Sequence, residues 1–232
     1  MLNALKPLRY FFDLIYPELC DICNKSLVRG EKIICSDCRI DIPLTRNWHE
    51  RGNSIEQIFW GRAPIVAATS YFFFSRGSKY RILLHKLKYS GRDDIGIALG
   101  SWFGNELATC KIFSDVDFII PVPLHPKKQQ LRGYNQSEKI CVGLSYALNK
   151  PVDVKTVIRS EFTNTQTQKN RMERWHNVSN VFEVRNAEKL KNKHILLVDD
   201  VLTTGATLEA CCNAILSSVN CRISIATLAF AH

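Results

Sequence analysis

The sequence lacks any apolar run of the roughly 20 residues that a membrane-spanning helix needs. Its apolar opening, residues 1–17, is interrupted by Lys6, Pro7, Arg9 and Asp13, which predicts neither a signal peptide nor a membrane span. We expect a short helix that packs on the body, with a weak membrane-surface role as the alternative. Internal repeats and low-complexity segments are also absent, and 46% hydrophobic with 23% charged residues indicates a globular protein.

An export signal is missing as well, although the 232 residues include nine cysteines. An odd number of cysteines without such a signal favours free thiols in a reducing cytoplasm over a disulfide framework. Acidic residues are fewer than basic ones. The chain has 22 aspartates and glutamates against 31 lysines and arginines, which gives a net charge of +9. That excess predicts attraction to polyanions, either nucleic acid or a small phosphorylated substrate.

Four of the cysteines form two CxxC pairs, Cys20 with Cys23 and Cys35 with Cys38. Such pairs supply four thiolates that can close a tetrahedron around Zn²⁺, with no open position for catalysis. So short a segment buries little apolar area, so metal binding would supply most of its folding energy. Two disulfides, a redox pair and an iron–sulfur site are the alternatives. The other five cysteines are predicted to be buried small hydrophobic residues: Cys110, Cys141, Cys211, Cys212 and Cys221.

After residue 62 the chain alternates apolar strands with amphipathic helices, which predicts an α/β domain with a parallel sheet. We divide the chain into an N-terminal helix and four-cysteine zinc module (1–45), a polar linker (46–62) and the α/β domain (63–232). Predicted strands span residues 65–74, 116–124, 152–158, 181–184, 194–198 and 222–230, and predicted helices span 77–89, 95–109, 135–148 and a segment from residue 205.

The stretch ILLVDDVLTTGAT at residues 195–207 indicates a ligand site. A strand, a glycine-containing turn and a helix place backbone N–H groups where they can hold a phosphate. Acids repel phosphate, but ionised carboxylates accept hydrogen bonds from a diol, so Asp199 and Asp200 suit ribose hydroxyls. A ribose 5-phosphate unit has both parts. The chain has no P-loop lysine motif and no GxGxxG motif after this strand. Two acids that merely cap a turn are the alternative.

This stretch resembles the loop of type I phosphoribosyltransferases that binds 5-phosphoribosyl 1-pyrophosphate (PRPP). With the cysteine pairs, LKYSG (87–91), PVPLHPKKQQLRGYNQS (121–137) and TNTQTQKNRMERWHNV (163–178), nearly the whole chain resembles the ComF family, competence protein F and its relatives. The resemblance implies a type I phosphoribosyltransferase-like fold that binds PRPP with Mg²⁺. One departure is Asn164-Thr165, where family members often have proline, and it affects only local loop stiffness.

The resemblance also implies individual roles, with the two acids on the ribose hydroxyls and the following turn around the 5-phosphate. The implied PRPP-binding set is Asp199, Asp200, Leu202, Thr203, Thr204, Gly205, Ala206 and Thr207. The PVPLH turn lies where type I relatives hold pyrophosphate and its Mg²⁺. The implied pyrophosphate or second-substrate region is Pro121, Val122, Pro123, Leu124, His125, Arg132, Gly133, Tyr134, Asn135, Gln136, Gln166, Thr167, Arg174 and Asn177.

If the protein is an enzyme, the implied reaction displaces pyrophosphate from C1 of the ribose while positive charge builds on the sugar. Mg²⁺ and basic residues would neutralise the leaving group, and such stabilisation usually carries most of the catalysis. Lys127 and Arg132 are the candidates for this role, with Lys128 beside them. A solvated basic loop is the alternative, and the sequence identifies no acceptor.

A second class of function is nucleic-acid binding. Residues 76–92 contain six basic residues and no acid, with Tyr80 and Tyr89 interleaved. Cations beside aromatic rings suit single-stranded DNA, whereas an ordinary solvated helix is the alternative. The candidates are Lys79, Arg81, Lys86, Lys88 and Arg92.

The family resemblance implies DNA uptake in natural transformation, with a helicase or a membrane channel as possible partners. The sequence therefore predicts a PRPP-binding, phosphoribosyltransferase-like protein of the cytoplasm. A non-catalytic, PRPP-responsive factor that binds single-stranded DNA is the alternative.

Overall fold

A parallel four-stranded sheet lies at the centre of the computed structural model, which describes residues 17–75, 77–159 and 181–231. The strands of these residues are β1 (Ala67–Phe74), β2 (Phe118–Pro121), β3 (Val157–Arg159), β4 (Phe182–Val184), β5 (His194–Leu202) and β6 (Arg222–Ala231). The central sheet has the order β1-β6-β5-β2, and each neighbouring pair is parallel. The predicted parallel α/β architecture is therefore confirmed.

Helices cover both faces of this sheet. The described helices are α1 (Ser36–Ile40), α2 (Ser54–Gln57), α3 (Arg81–Tyr89), α4 (Asp93–Ala108), α5 (Lys111–Ser114), α6 (Pro126–Arg132), α7 (Gln136–Leu148) and α8 (Ala206–Ser218), with 3₁₀ turns at Asn47–His49 and Ala187–Leu190. Leu196 of β5 packs with the leucines of α3, α4 and α7, whereas Leu197 packs with α8 on the opposite face. In the part of the chain that the structure describes, no helix has the length and apolarity that a bilayer crossing requires.

Strand β5 is longer than its apolar pattern predicts. The continuous apolar run ends at Val198, but the backbone continues to pair with β6 through Asp199, Val201 and Leu202. Backbone hydrogen bonds therefore extend the strand past the point where hydrophobicity stops. As a result, both acids lie within the carboxyl end of the strand and not in the loop after it.

The predicted strand at residues 152–158 is mostly irregular. Only its last two residues belong to β3, which pairs antiparallel with β4 in a separate two-stranded sheet. Val152 contributes a single parallel bridge to Ile119 at the edge of the central sheet. Asp153 explains the break, because its carboxylate accepts hydrogen bonds from the backbone N–H groups of Lys155 and Thr156 and so forms a turn.

Helices α4 and α7 pack with their backbones almost in contact. A Cβ atom at Gly100 would collide with the carbonyl oxygen of Ile140, and one at Gly143 would collide with the carbonyl oxygen of Ile97. Glycines at these crossing points therefore allow an approach that no other residue permits. This close packing fixes the amino end of α7, which lies at the candidate site.

The predicted linker at residues 46–62 is a packed segment and not a spacer. It contains a 3₁₀ turn and α2, and it buries Trp48, Ile55 and Phe59. Asn53 caps α2 by accepting hydrogen bonds from the N–H groups of Ile55 and Glu56. Three large apolar side chains spread along a polar stretch therefore anchor it to the body.

The four-cysteine segment shares its apolar core with the rest of the chain. Ile33, Ile34 and Ile42 belong to the same buried cluster as Leu83 and Leu84 of α3. The segment therefore gains stability from packing on α3 as well as from any bound metal, in contrast to the prediction that metal supplies most of it.

We expect Gly143→Ala to destabilise the protein by about 2 kcal/mol, because the added methyl group overpacks the crossing of α4 and α7. Urea unfolding monitored by circular dichroism measures the loss. Gly77→Ala is the matched control, since a Cβ there meets no atom within 4 Å and its backbone is not left-handed. Equal stabilities of the two variants would show that the helices can separate without cost.

Candidate functional site

The turn at residues 203–207 joins β5 to α8 and is braced from behind. Gly205 has a left-handed backbone with φ of 76°, and a Cβ there would lie 3.0 Å from the side chain of Ile58. Arg62 Nη1 donates a hydrogen bond to the carbonyl oxygen of Thr204 at 2.8 Å, and its Nε donates to Glu209 Oε2 at 3.0 Å. The segment expected to be a linker therefore holds this turn in place.

The opposite side of the turn is open to solvent. Thr203, Thr204 and Thr207 are exposed, and the turn lines a recess of about 40 Å³ together with Asp199. The first N–H groups of α8 have no partner within the helix, so they favour an anion at this position. The turn thus combines hydroxyl groups, backbone N–H groups and the positive end of a 13-residue helix.

The two acids have different surroundings. Asp199 Oδ1 accepts a hydrogen bond from Ser137 Oγ at 2.9 Å and another from the N–H group of Asp200 at 2.9 Å. Burial, together with the charge of Asp200, raises the pKa of Asp199 to about 7. Asp200 Oδ2 instead lies 2.8 Å from the ammonium group of Lys88 on α3. One carboxyl group therefore keeps its proton to a higher pH than an ordinary aspartate, and the other is ion-paired.

The RGYNQ segment brings the surrounding loops together. Tyr134 donates its hydroxyl hydrogen to the carbonyl oxygen of Leu87, next to Lys88. Asn135 Nδ2 donates to the carbonyl oxygen of Val122 at 3.0 Å, while its Oδ1 accepts from the N–H group of Ser137 at 3.0 Å and caps α7. Four segments that are distant in sequence, namely 87–91, 121–125, 132–137 and 199–207, therefore meet at one edge of the sheet.

Arg132 belongs to the same cluster. Its guanidinium carbon lies 5.3 Å from the ring centroid of Tyr89, and its Nη1 donates to Gln136 Oε1 at 2.7 Å. Gly133 ends α6 in a left-handed conformation with φ of 81°. The arginine is thus oriented by two contacts and keeps other N–H groups for further hydrogen bonds.

The PVPLH turn continues β2 into α6. Val122 N–H donates to the carbonyl oxygen of Val198 at 2.8 Å, and His125 Nδ1 accepts from the N–H group of Lys127 at 3.2 Å. Lys127 and Lys128 themselves are exposed on α6. A cavity of about 370 Å³ lies beside this turn and is lined by Pro121, Pro123, Leu124, Pro126, Gln129, Asn135, Glu138, Val154, Val157, Ile158 and Arg159.

Gln166, Thr167, Arg174 and Asn177 lie outside the described residues. Ser137, which contacts Asp199, stands at the end of the RGYNQS stretch, so its place in the motif could have identified it. No local sequence pattern indicated that Arg62 supports the site, because its partner Glu209 lies 147 residues away.

Most of the predicted nucleic-acid track faces carboxylates. Asp21, between the first two cysteines, accepts from Lys86 Nζ at 2.7 Å and lies 2.8 Å from Arg92 Nη2. Lys79 Nζ lies 3.0 Å from Asp41 Oδ2. Four of the five candidates are therefore ion-paired within the chain, namely Lys79, Lys86, Lys88 and Arg92, whereas Arg81 is exposed.

The four N-terminal cysteines converge as predicted. The sulfur atoms of Cys20, Cys23, Cys35 and Cys38 all lie within 4.8 Å of one another, and Cys23 Sγ is 3.6 Å from Cys35 Sγ. A tetrahedral Zn²⁺ with bonds of about 2.3 Å needs sulfur atoms about 3.8 Å apart. Burial and the neighbouring thiols raise the pKa of Cys38, so a cation is needed to hold four thiolates together. The cluster therefore fits a structural zinc ion.

Comparison with known proteins agrees with this geometry. The family model described as phosphoribosyl transferase domain matches residues 137–232. The chain is 30% identical to the DNA utilization protein YhgH of Salmonella typhi over 194 residues, 82% of this chain and 80% of that protein. It is 38% identical to competence protein F of Haemophilus influenzae over 92 residues, 39% of this chain and 40% of that protein. It is 23% identical to competence protein ComFC of Bacillus subtilis over 193 residues, 83% of this chain and 69% of that protein.

We expect Cys35→Ser to lose zinc, because three thiolates and a hydroxyl group bind Zn²⁺ far more weakly than four thiolates. Elemental analysis of the purified protein measures metal content, and thermal unfolding measures the accompanying loss of stability. Cys221→Ser is the control, since this free cysteine lies outside the cluster and should leave about one Zn²⁺ per chain. A full metal content in Cys35→Ser would contradict the assignment.

The raised pKa of Asp199 makes the stability of the protein depend on pH. The native protein keeps a proton that the unfolded chain releases above its ordinary pKa of 3.8, so this group makes stability fall as pH rises from about 4 to about 7. We expect Asp199→Asn to remove this slope, because the amide is neutral throughout and still accepts from Ser137. Urea unfolding at pH 5, 6, 7 and 8 measures the profile.

The control for this measurement is Asp94→Asn, because the pKa of Asp94 is lowered by Arg92 and its titration lies below that pH range. Parallel profiles of the wild type and Asp199→Asn between pH 5 and 8 would show that Asp199 carries no raised pKa.

Proposed function

The chain belongs to the ComF family, with a type I phosphoribosyltransferase-like fold and an N-terminal four-cysteine module, and we propose that it binds PRPP. In this proposal the turn at residues 203–207 holds the 5-phosphate. Asp199 and Asp200 accept hydrogen bonds from the ribose hydroxyls. The groups around the PVPLH turn and the RGYNQ segment receive the pyrophosphate and a second substrate.

One observation carries this proposal. An anion-binding turn follows directly on two carboxylates at the carboxyl end of a parallel strand, where α/β proteins usually bind their ligands. The turn attracts phosphate and the acids attract hydroxyl groups, so a ligand must present both within a few ångströms. A ribose 5-phosphate unit does so, and neither an inorganic anion nor a neutral sugar uses both halves of the site.

We propose that Mg²⁺ binds together with PRPP. Asp200 already contacts Lys88, so the described side chains offer no cage of carboxylates for a free cation. Mg²⁺ commonly takes one or two carboxylates together with substrate phosphate oxygens, which suits one carboxylate beside a pyrophosphate. When bound, the ion would neutralise charge on the pyrophosphate.

For a transferase reaction, the chain's own cations would stabilise pyrophosphate as it leaves C1. Arg132 is the better oriented of the two catalytic candidates, because it is held by Tyr89 and Gln136, whereas Lys127 is exposed on α6. We propose the cavity of about 370 Å³ beside the PVPLH turn for the second substrate. Its polar lining groups include Asn135 and Glu138, which would favour an acceptor with N–H or O–H groups.

A role in handling DNA is the second candidate function. It is favoured by the relatives, one named for DNA utilization and two for competence, and by the net charge of +9. The ion pairs along α3 argue against that helix as a continuous strand-binding track. The nine cysteines all lie within the described residues and none forms a disulfide, which supports a reducing compartment such as the cytoplasm, where incoming single-stranded DNA would meet a helicase or a membrane channel.

The decisive experiment is calorimetric titration of the zinc-loaded protein with PRPP and Mg²⁺, followed by an assay for released pyrophosphate. We expect Asp199→Asn with Asp200→Asn to abolish binding, because each change replaces one carboxylate oxygen with an NH₂ group, which cannot accept a hydrogen bond from a ribose hydroxyl. The matched control is Asp93→Asn with Asp94→Asn, another adjacent acidic pair, whose partners are Lys139 and Arg92 outside the site. Unaltered PRPP affinity in the first double variant would remove the ribose assignment.

The same titration with single-stranded DNA present separates the two functions. Pyrophosphate release identifies a transferase, whereas binding without release, together with an affinity for DNA that changes on PRPP addition, identifies a ligand-responsive DNA factor. DNA binding that depends on phosphate contacts should weaken steeply between 50 and 200 mM salt.

A further inference from the structure

Lys88 lies on α3, which packs on the N-terminal module, and its side chain reaches Asp200 near the end of β5. Its ammonium group lies 2.8 Å from Asp200 Oδ2, and its side chain is only 23% exposed. Among the ion pairs of the described residues, this is the one that reaches either of the two acids. A lysine has three hydrogen-bond donors and no acceptor, so a partly buried lysine is best satisfied by acceptors such as carboxylate or phosphate oxygens.

The backbone that carries Lys88 is fixed from two sides. On one side, Lys86 and Arg92 bind Asp21, and Tyr80 donates its hydroxyl hydrogen to the carbonyl oxygen of Cys38 at 3.0 Å. On the other side, Tyr134 holds the carbonyl oxygen of residue 87. These contacts hold α3 in place, so we expect any adjustment at Lys88 to occur along its flexible side chain.

Ligand binding changes what Asp200 needs. In the absence of ligand, the ammonium group balances a carboxylate that is 13% exposed and would be costly to leave unpaired. Ribose hydroxyls that donate to Asp200 take over this task. The ammonium group would then be free to donate to another anionic group of the ligand, such as one carried at C1 of the ribose.

We propose that Lys88 determines specificity for a ribose 5-phosphate that carries a diphosphate at C1, by moving its ammonium group from Asp200 to that diphosphate when the ligand binds. The proposal rests on the proposed PRPP site. It assigns Lys88 to the small-molecule ligand and not to nucleic acid. It also gives the N-terminal module a function, because the module holds the helix from which Lys88 reaches the site.

Comparison of two ligands tests this proposal. PRPP and ribose 5-phosphate share the diol and the 5-phosphate, and only PRPP has the diphosphate. We expect Lys88→Met to lower the affinity for PRPP at least tenfold and that for ribose 5-phosphate less than threefold, so that the ratio of the two affinities falls. Lys88→Arg keeps the charge and should retain most of this ratio. Calorimetry with Mg²⁺ measures the affinity for each ligand in the wild type and in both variants.

Lys86→Met is the matched control, because Lys86 lies on the same helix and its side chain is similarly exposed, at 27%. It pairs with Asp21 and not with Asp200. It should leave the affinity ratio unchanged. Zinc content and circular dichroism confirm that each variant is folded, so that a lost fold is not mistaken for lost recognition.

Each other outcome has a defined meaning. Equal losses for both ligands in Lys88→Met, or equal gains, would show that Lys88 is only a counter-ion of Asp200 and would overturn the proposal. A changed affinity ratio in Lys86→Met would show that the ratio depends on the position of α3 and not on the ammonium group of Lys88, and it would also overturn the proposal. Wild-type protein that binds neither ligand removes the PRPP site and this proposal with it, whereas equal wild-type affinities for both ligands overturn the role of Lys88 alone.

Discussion

Two adjacent carboxylates follow five buried residues near the carboxyl end of β5, and the surrounding structure compensates the cost of placing charge there. Asp199 receives a hydroxyl group from α7 and keeps its proton more readily than an ordinary aspartate, while Asp200 receives an ammonium group from α3. Each acid therefore depends on a different helix. Both helices must be held accurately, which explains the glycine contacts between α4 and α7 and the ion pairs between α3 and the four-cysteine segment.

The four-cysteine segment accordingly does more than close a metal site. Asp21 is 6% exposed and forms ion pairs with both Lys86 and Arg92, so these contacts join the cysteine segment to the basic stretch around α3. Its isoleucines also complete the apolar core around α3. A metal that orders the cysteines therefore orders Asp21, and through α3 it sets the position from which Lys88 approaches the candidate site.

Much of this arrangement follows from the sequence, because local patterns report local structure. The apolar run before Asp199, the glycine turn and the cysteine spacing each identified a feature that the structure contains. The sequence did not reveal which side chains contact each other. Arg62 is 147 residues from Glu209, and the basic stretch around Lys88 gave no indication that this lysine faces an acid. Periodicity predicts burial, but only the tertiary fold decides which charges meet. The predicted linker at residues 46–62 is a packed segment for a related reason, since three separated apolar residues anchor a stretch whose average composition is polar.

The same pairing determines where an anionic ligand can bind along α3. A phosphate that approached Lys86 or Arg92 would compete with Asp21, and nothing in such a ligand would replace the lost cations on that buried carboxylate. At Lys88 the situation differs, because a ribose phosphate brings hydroxyl groups that can satisfy Asp200 as the ammonium group leaves. Displacement is thus unfavourable at one carboxylate and compensated at the other. The formal charge of this helix is spread over several residues, but in the proposed site its contact with a phosphorylated sugar is concentrated at Lys88.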